Sequence, residues 1–176
     1  MHIRFRLPTF LRACPEQVRG ELLEVGAGSG YSSQRILETY PQVELTAIDI
    51  DSVATQRFDD LQAKYGRRLN AQQANVLKLP FDRASFDFVV AVNVLWRMSD
   101  SDVKEALLQL LRVTRPGGFV GISESSFLFF PWMHQKNIIE QVFVEEGCDI
   151  LYSNGEWGYD VWIRKPHHQK EVAHTI

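Results

Sequence analysis

Cysteine is scarce in this sequence of 176 residues, which holds only Cys14 and Cys148. The two lie far apart and form no C-x-x-C pair, which excludes a dense disulfide framework and a paired-cysteine zinc site. No stretch reaches the roughly 18 consecutive apolar residues of a membrane span, and the basic N-terminus lacks the apolar run of a secretory signal. We therefore expect a cytoplasmic protein with two reduced thiols and no membrane partner.

Positively charged residues are also fewer than negatively charged ones. The sequence has 19 lysines and arginines and 22 aspartates and glutamates, which gives a net charge of −3. Proteins that bind nucleic acid usually carry a basic domain or stripe. The composition therefore predicts no nucleic-acid partner and favours a small-molecule or protein partner. His167, His168 and His174 are the nearest thing to a metal-binding tract, but they lie in a polar tail, and we predict no metal site.

Hydrophobic residues make up 45% of the chain, which is enough for one core of ordinary size. We predict a leader over residues 1–20 that is at most a short, broken helix, because Pro8 and Pro15 interrupt it. A single domain should follow over residues 21–164. Residues 165–176 are polar, and we expect them to be disordered.

The sequence is organised around one glycine-rich stretch, in which the apolar run Leu22–Val25 contains Glu24 and is followed by Gly26, Gly28 and Gly30. A strand, a glycine turn and a helix start form a nucleotide-type binding loop in α/β proteins. The dinucleotide pattern G-x-G-x-x-G is absent because Tyr31 occupies the third glycine position. The motif is E-x-G-x-G-x-G, and a glycine-rich turn of some other α/β protein is the alternative.

This motif resembles the first motif of the class I, seven-stranded Rossmann-like S-adenosylmethionine-dependent methyltransferases. Four more stretches in the same order are similar to that family: Asp49, which follows Gly30 by 19 positions; Asn75 before Leu79-Pro80-Phe81; Ser85-Phe86-Asp87-Phe88-Val89; and Arg115-Pro116-Gly117-Gly118. The resemblance covers residues 21 to about 164. It implies a methyltransferase that uses S-adenosyl-L-methionine as cofactor.

The resemblance also implies where the cofactor binds. Glu24 would meet the methionine ammonium, directly or through water, Asp49 would accept both ribose hydroxyls, and Ile50 would cover one face of the adenine. Asn75 stands where the family usually has an aspartate, and its carbonyl can still accept a hydrogen bond from the adenine amino group. The complete set of predicted cofactor-binding residues is Glu24, Gly26, Ala27, Gly28, Gly30, Asp49, Ile50, Asn75, Val76 and Asn93.

The predicted fold is α/β, a doubly wound and mostly parallel seven-stranded sheet with helices on both faces and a C-terminal antiparallel hairpin. Helices are predicted over Ser32–Tyr40, Ser52–Tyr65, a stretch that begins near Ser99, and Asn137–Glu146. The predicted strands are Glu21–Val25, Val43–Asp49, Leu69–Ala74, Ser85–Asn93, Phe119–Glu124, Asp149–Ser153 and Tyr159–Arg164.

A small-molecule methyl acceptor is the predicted substrate, with Trp96, Phe129 and Trp132 as candidate contacts. The aromatic run 127–132 follows a parallel strand, so it is a wall of the acceptor pocket, a core plug or a homodimer contact. No general base stands out; Glu124 and His134 are candidates, each with a structural role as the alternative. A protein methyltransferase, a catalytically silent binding subunit of this fold and a nicotinamide oxidoreductase are the competing functions.

Overall fold

The computed structural model describes residues 3–14, 16–52, 56–125, 132–154 and 158–167, without the side chains of residues 3–6, 56, 125 and 132–135. The helices in these residues are α1 (Ile3–Arg12), α2 (Tyr31–Thr39), α3 (Gln56–Tyr65), α4 (Asp100–Val113) and α5 (Trp132–Glu145). The strands are β1 (Gly20–Val25), β2 (Val43–Asp49), β3 (Leu69–Gln73), β4 (Phe86–Val92), β5 (Thr114–Ser125), β6 (Asp149–Asn154) and β7 (Gly158–Arg164). Short 3₁₀ turns lie at Gly66–Arg68, Val76–Lys78 and Leu95–Arg97.

The seven strands form one sheet in the order β3-β2-β1-β4-β5-β7-β6. The first five strands pair in parallel, and β7 runs antiparallel to both of its neighbours. The carboxyl ends of β1 to β5 therefore meet at one edge of the sheet, which is where such sheets bind ligands. The predicted parallel sheet with a C-terminal antiparallel hairpin is confirmed.

Both faces of the sheet are covered, which explains why β4 is apolar at nearly every position. Val89 and Ala91 pack in the core shared with α4 and α5, whereas Phe88 and Val90 pack in the core shared with α1, α2 and α3. Successive side chains of a strand point to opposite faces, so a strand buried on both sides needs a continuous apolar run. The predicted doubly wound architecture is confirmed by these two cores.

The N-terminal segment departs from the sequence-based expectation. Helix α1 runs unbroken through Pro8 over ten residues, although proline removes one helical N–H. Its side chains offset that loss, because Leu7, Phe10 and Leu11 are buried. Phe10 stacks on Trp162 with ring centroids 5.0 Å apart, and the Trp162 Nε1–H donates to the Phe10 carbonyl at 2.9 Å.

Lys165, the first residue of the predicted disordered tail, has a defined place in the structure. Lys165 is buried, and its Nζ donates to the carbonyls of Leu111 and Thr114 at 2.7 Å each. Those carbonyls lie where α4 ends, a position that suits a cation. Residues 168–176 lie outside the described residues. Among the described helices, none has both the length and the apolar character that crossing a membrane requires.

Candidate functional site

The glycine turn after β1 is held to the end of β2 and leaves space above it. The N–H groups of Gly26 and Ala27 both donate to the Ile48 carbonyl, at 2.8 and 2.9 Å. Gly28 has a φ of +49°, and among the described residues a Cβ atom built on it would have only Asp49 Oδ2 and the Gly26 carbonyl within 4 Å, at 3.9 and 4.0 Å. A ligand can therefore approach the backbone at Gly28 closely.

Asp49, the last residue of β2, lies beside this turn. Its Oδ2 accepts the N–H of Gly28 at 2.7 Å, and its Oδ1 accepts the N–H of Asp51 at 3.0 Å. A carboxylate oxygen can accept two hydrogen bonds, so each oxygen has capacity for one more partner. The backbone thus fixes the carboxylate in a half-buried position, with both oxygens able to accept a pair of hydroxyl groups.

Glu24 is buried beneath the turn. It exposes no surface, and its two oxygens accept hydrogen bonds from the hydroxyls of Ser32 and Ser33 in the first turn of α2. Burial raises the pKa of Glu24 to about 7; the two hydroxyls act against this rise, and the nearby charge of Asp49 adds to it. This geometry gives Glu24 a role in fastening β1 to α2 under the glycine turn.

The loops after β2 and β3 adjoin each other. Ala74 donates its N–H to the Asp49 carbonyl at 2.8 Å, and Gln73 Nε2 donates to the Ile50 carbonyl at 2.8 Å. Ile50 exposes 64% of its surface, so an apolar side chain faces open space beside Asp49. Asn75 is also exposed, and its Oδ1 already accepts the Leu77 N–H at 2.9 Å.

The loop after β4 completes this edge of the sheet. Asn93 has a φ of +56° and donates its N–H to the Ser123 carbonyl at 2.8 Å. Trp96 follows in a 3₁₀ turn with 41% of its surface exposed, and the Arg97 guanidinium lies 5.3 Å from the centre of its ring. Glu124, near the end of β5, is buried beneath the same loop.

The structure thus brings the predicted cofactor residues to one edge of the sheet, but at two depths. Those at the surface are Gly26, Gly28, Asp49, Ile50, Asn75 and Asn93, and those buried below it are Glu24, Ala27, Gly30 and Val76. The buried residues support the loops from below. Phe129, together with the side chains of Trp132 and His134, lies outside the described residues, so the candidate acceptor contacts and the second candidate base stay predictions.

Sequence reasoning missed three residues of this site. The sequence did carry a signal for Ser32 and Ser33. A glutamate in a buried strand needs hydrogen-bond partners, and two hydroxyl side chains stand at the start of the next helix. Val94 gave no such signal: its Cγ2 occupies the Cβ position that Gly26 lacks, and only the folded loops bring the two together.

The stretch Ser85-Phe86-Asp87-Phe88-Val89, which resembles a motif of the family, has a structural role and does not contribute to the site. Asp87 lies near the start of β4, at the edge of the sheet opposite the glycine turn. Its carboxylate accepts the Glu21 N–H at 3.0 Å and pairs with Arg115 at 2.6 Å. Through these two contacts Asp87 joins the beginnings of three neighbouring strands, β1, β4 and β5.

Solved structures share this sheet and its helices, and they identify the fold. A SAM-dependent methyltransferase from Methanosarcina mazei matches with a TM-score of 0.71 at 17% identity, over 90% of this chain and 97% of that one. The [4+2]-cyclase SpnF matches with a TM-score of 0.73 at 18% identity, over 93% of this chain and 80% of that one. At such identities the likeness shows the fold alone, which is that of the seven-stranded Rossmann-like methyltransferases.

The family follows from the sequence comparison. A family model described as "Methyltransferase domain" matches residues 22–118, which is more than half of the chain. The chain belongs to this family, the class I S-adenosylmethionine-dependent methyltransferases.

Curated relatives carry more specific names. The O-methyltransferase resE of Aspergillus sclerotiorum is 36% identical over 108 residues, which is 58% of this chain and 39% of that protein. The 27-O-demethylrifamycin SV methyltransferase of Amycolatopsis mediterranei is 32% identical over 119 residues, which is 66% of this chain and 42% of that protein. The chain spans about two fifths to one half of the length of the first curated relatives that it matches.

Proposed function

We propose that this chain binds S-adenosylmethionine at the glycine turn and transfers its methyl group to an oxygen of a small molecule. The observation that carries the proposal is the pairing of Gly28, whose missing side chain leaves open space, with the carboxylate of Asp49, which the Gly28 N–H holds at 2.7 Å. Family membership supports the same cofactor.

The residues at this edge of the sheet suit each part of the cofactor. Asp49 has an acceptor position on each oxygen for the ribose hydroxyls, and the exposed side chain of Ile50 offers an apolar surface to the adenine. The open backbone at Gly28 admits the methionine portion. Asp49 gives this region negative charge at the surface, which favours a cationic ligand.

When bound, S-adenosylmethionine supplies a methyl group already activated on a sulfonium sulfur. The chain's own contribution is then to hold the acceptor in line with that methyl group, and positioning of this kind can lower a barrier by about 7–11 kcal/mol. Asn93 and Trp96 lie in the loop after β4 and are the described residues best placed to border the acceptor.

A hydroxyl or carboxyl oxygen of a small molecule is the acceptor that the relatives favour. Several of them are named as O-methyltransferases, and one acts by its name on 27-O-demethylrifamycin SV. The exposed indole of Trp96 suits an apolar or aromatic acceptor. Transfer to a protein and a silent binding role are the competing functions, and activity on a panel of small hydroxylated compounds would separate them.

Two neighbouring aspartates provide a matched test of the cofactor site. Asp49→Ala removes both acceptor oxygens, so affinity for S-adenosylhomocysteine should fall by about 30- to 1000-fold, the equivalent of about 2–4 kcal/mol. Asp51→Ala is the control, because Asp51 contacts Asp49 through its main-chain N–H, which alanine keeps. Calorimetric titration of both variants decides the matter: equal affinities would refute the proposed ribose contact.

A further inference from the structure

The end of β5 holds the loop after β4 through its main chain. Oε1 of Glu124 accepts the N–H of Val94 at 3.1 Å and the N–H of Leu95 at 2.9 Å, and Glu124 exposes only 2% of its surface. The preceding amide, that of Asn93, donates to the Ser123 carbonyl at 2.8 Å. Three consecutive amides of one loop are therefore bound to two consecutive residues of β5.

Val94 extends this anchorage to the glycine turn. A Cβ atom on Gly26 would clash with Val94 Cγ2, so the valine side chain occupies the space that a side chain on Gly26 would need. The main chain of Gly26 is held from the other direction, because its N–H donates to the Ile48 carbonyl at 2.8 Å. Displacement of Val94 would remove the packing that supports Gly26 on this side.

We propose that Glu124 is a positioning residue that holds the cofactor-binding turn and the acceptor-side loop in register with each other. Its carboxylate fixes Val94, which packs against Gly26, and Leu95, which begins the 3₁₀ turn that presents Trp96. One buried oxygen that accepts two consecutive backbone N–H groups suits a support between two loops. The inference rests on the proposed function, because it takes the glycine turn as the cofactor site.

This role differs from general-base catalysis, for which Glu124 was a candidate. A base must reach the proton that it removes. Glu124 is covered by the loop, and one of its oxygens serves two backbone amides of that loop. If Glu124 is a positioning residue, a neutral hydrogen-bond acceptor of the same shape can replace its carboxylate. If Glu124 is a general base, the same replacement removes its function.

Three variants separate these roles. Glu124→Ala removes the acceptor, and Glu124→Gln keeps an amide oxygen that can accept the same two N–H groups. Ser123→Ala is the matched control at the neighbouring position, since it loses the buried hydrogen bond to Asp160 Oδ1 (2.6 Å) but keeps the carbonyl that binds Asn93. Hydrogen exchange at the amides of Val94, Leu95 and Ala27, followed by NMR, reports on both loops without any ligand.

In Glu124→Ala, we expect these amides to exchange at least about tenfold faster and S-adenosylhomocysteine to bind at least about tenfold more weakly, the equivalent of one lost hydrogen bond to a charged group. Glu124→Gln and Ser123→Ala should stay within about threefold of the wild type in both measurements. Unchanged exchange in Glu124→Ala would overturn the proposal, and so would an equal loss of affinity in Ser123→Ala or Glu124→Gln.

A second variant keeps the proposal testable if Glu124→Ala fails to fold. Val94→Ala leaves the amide hydrogen bonds in place and removes only the packing against Gly26, so affinity for S-adenosylhomocysteine should fall while exchange at Leu95 stays unchanged. Wild-type affinity in Val94→Ala would contradict the link between the loops. If the wild type binds no S-adenosylhomocysteine, the proposed function fails, and exchange at Ala27 still decides whether Glu124 supports the turn.

Discussion

Replacing Glu24 with glutamine should change how the stability of the protein depends on pH. The carboxyl of Glu24 is fully buried, and burial raises its pKa from 4.5 to about 7. Between these two values the folded protein keeps a proton that the unfolded chain has released. The free energy of unfolding therefore falls as the pH rises through this window, and the loss is complete above pH 7.

The size of the effect follows from the two pKa values. A difference of one pKa unit corresponds to 1.36 kcal/mol, so a rise from 4.5 to about 7 costs the folded state about 3 kcal/mol once the group is ionised. Glutamine carries no charge, and its amide can exchange hydrogen bonds with the hydroxyls of Ser32 and Ser33. The stability of Glu24→Gln relative to the wild type should therefore increase by about 3 kcal/mol across the window.

Urea unfolding of both proteins from about pH 4.5 to about pH 8 measures this difference, because titrations common to the two proteins cancel. Glu38→Gln is the control, since it makes the same change of net charge at an exposed position of α2. A stability difference between Glu24→Gln and the wild type that stays constant with pH would refute the reasoning, as would an equal pH dependence in the Glu38→Gln control.

Three further outcomes are expected. Gly28→Ala should abolish binding of S-adenosylhomocysteine, whereas Gly66→Ala should keep it. Gly66 is the control because both glycines have a positive φ and room for a Cβ, and calorimetric titration measures the affinity of both variants. Lys165→Met should lower the free energy of unfolding in urea by about 2 kcal/mol, because two carbonyls at the end of α4 lose their partner. Trp162→Phe should lower it by about 1–2 kcal/mol through the lost hydrogen bond to Phe10, and unchanged unfolding would contradict either stability prediction.

The sheet could be predicted because the sequence pattern of each strand lies within the strand itself. The continuous apolar run of β4 and the carboxylate that ends β2 mark buried parallel strands whose ends meet at one edge. Strand bounds mostly agree to within one residue, except at β5, which starts five residues earlier, at Thr114. Helix α5 likewise starts five residues earlier than predicted, at Trp132.

Tertiary contacts explain what the sequence could not predict. Pro8 breaks helices in isolation, but the stacking of Phe10 on Trp162, 152 positions away, holds α1 together. In the sequence, Lys165 is the first residue of a polar stretch. In the structure, two carbonyls at the end of α4 accept hydrogen bonds from its ammonium. The partners of Glu24, the hydroxyls of Ser32 and Ser33, stand in the next helix, and its predicted contact with the methionine ammonium stays a prediction.

Binding of S-adenosylhomocysteine to the purified chain tests the central claim most directly. Isothermal titration calorimetry should show saturable binding at one site per chain, with an affinity that falls by about 30- to 1000-fold in Asp49→Ala and stays unchanged in Asp51→Ala. Nicotinamide dinucleotides should give no binding heat, because Tyr31 replaces the third glycine of their motif. A folded wild-type chain that gives no heat with S-adenosylhomocysteine, or that binds a nicotinamide dinucleotide instead, would contradict the account.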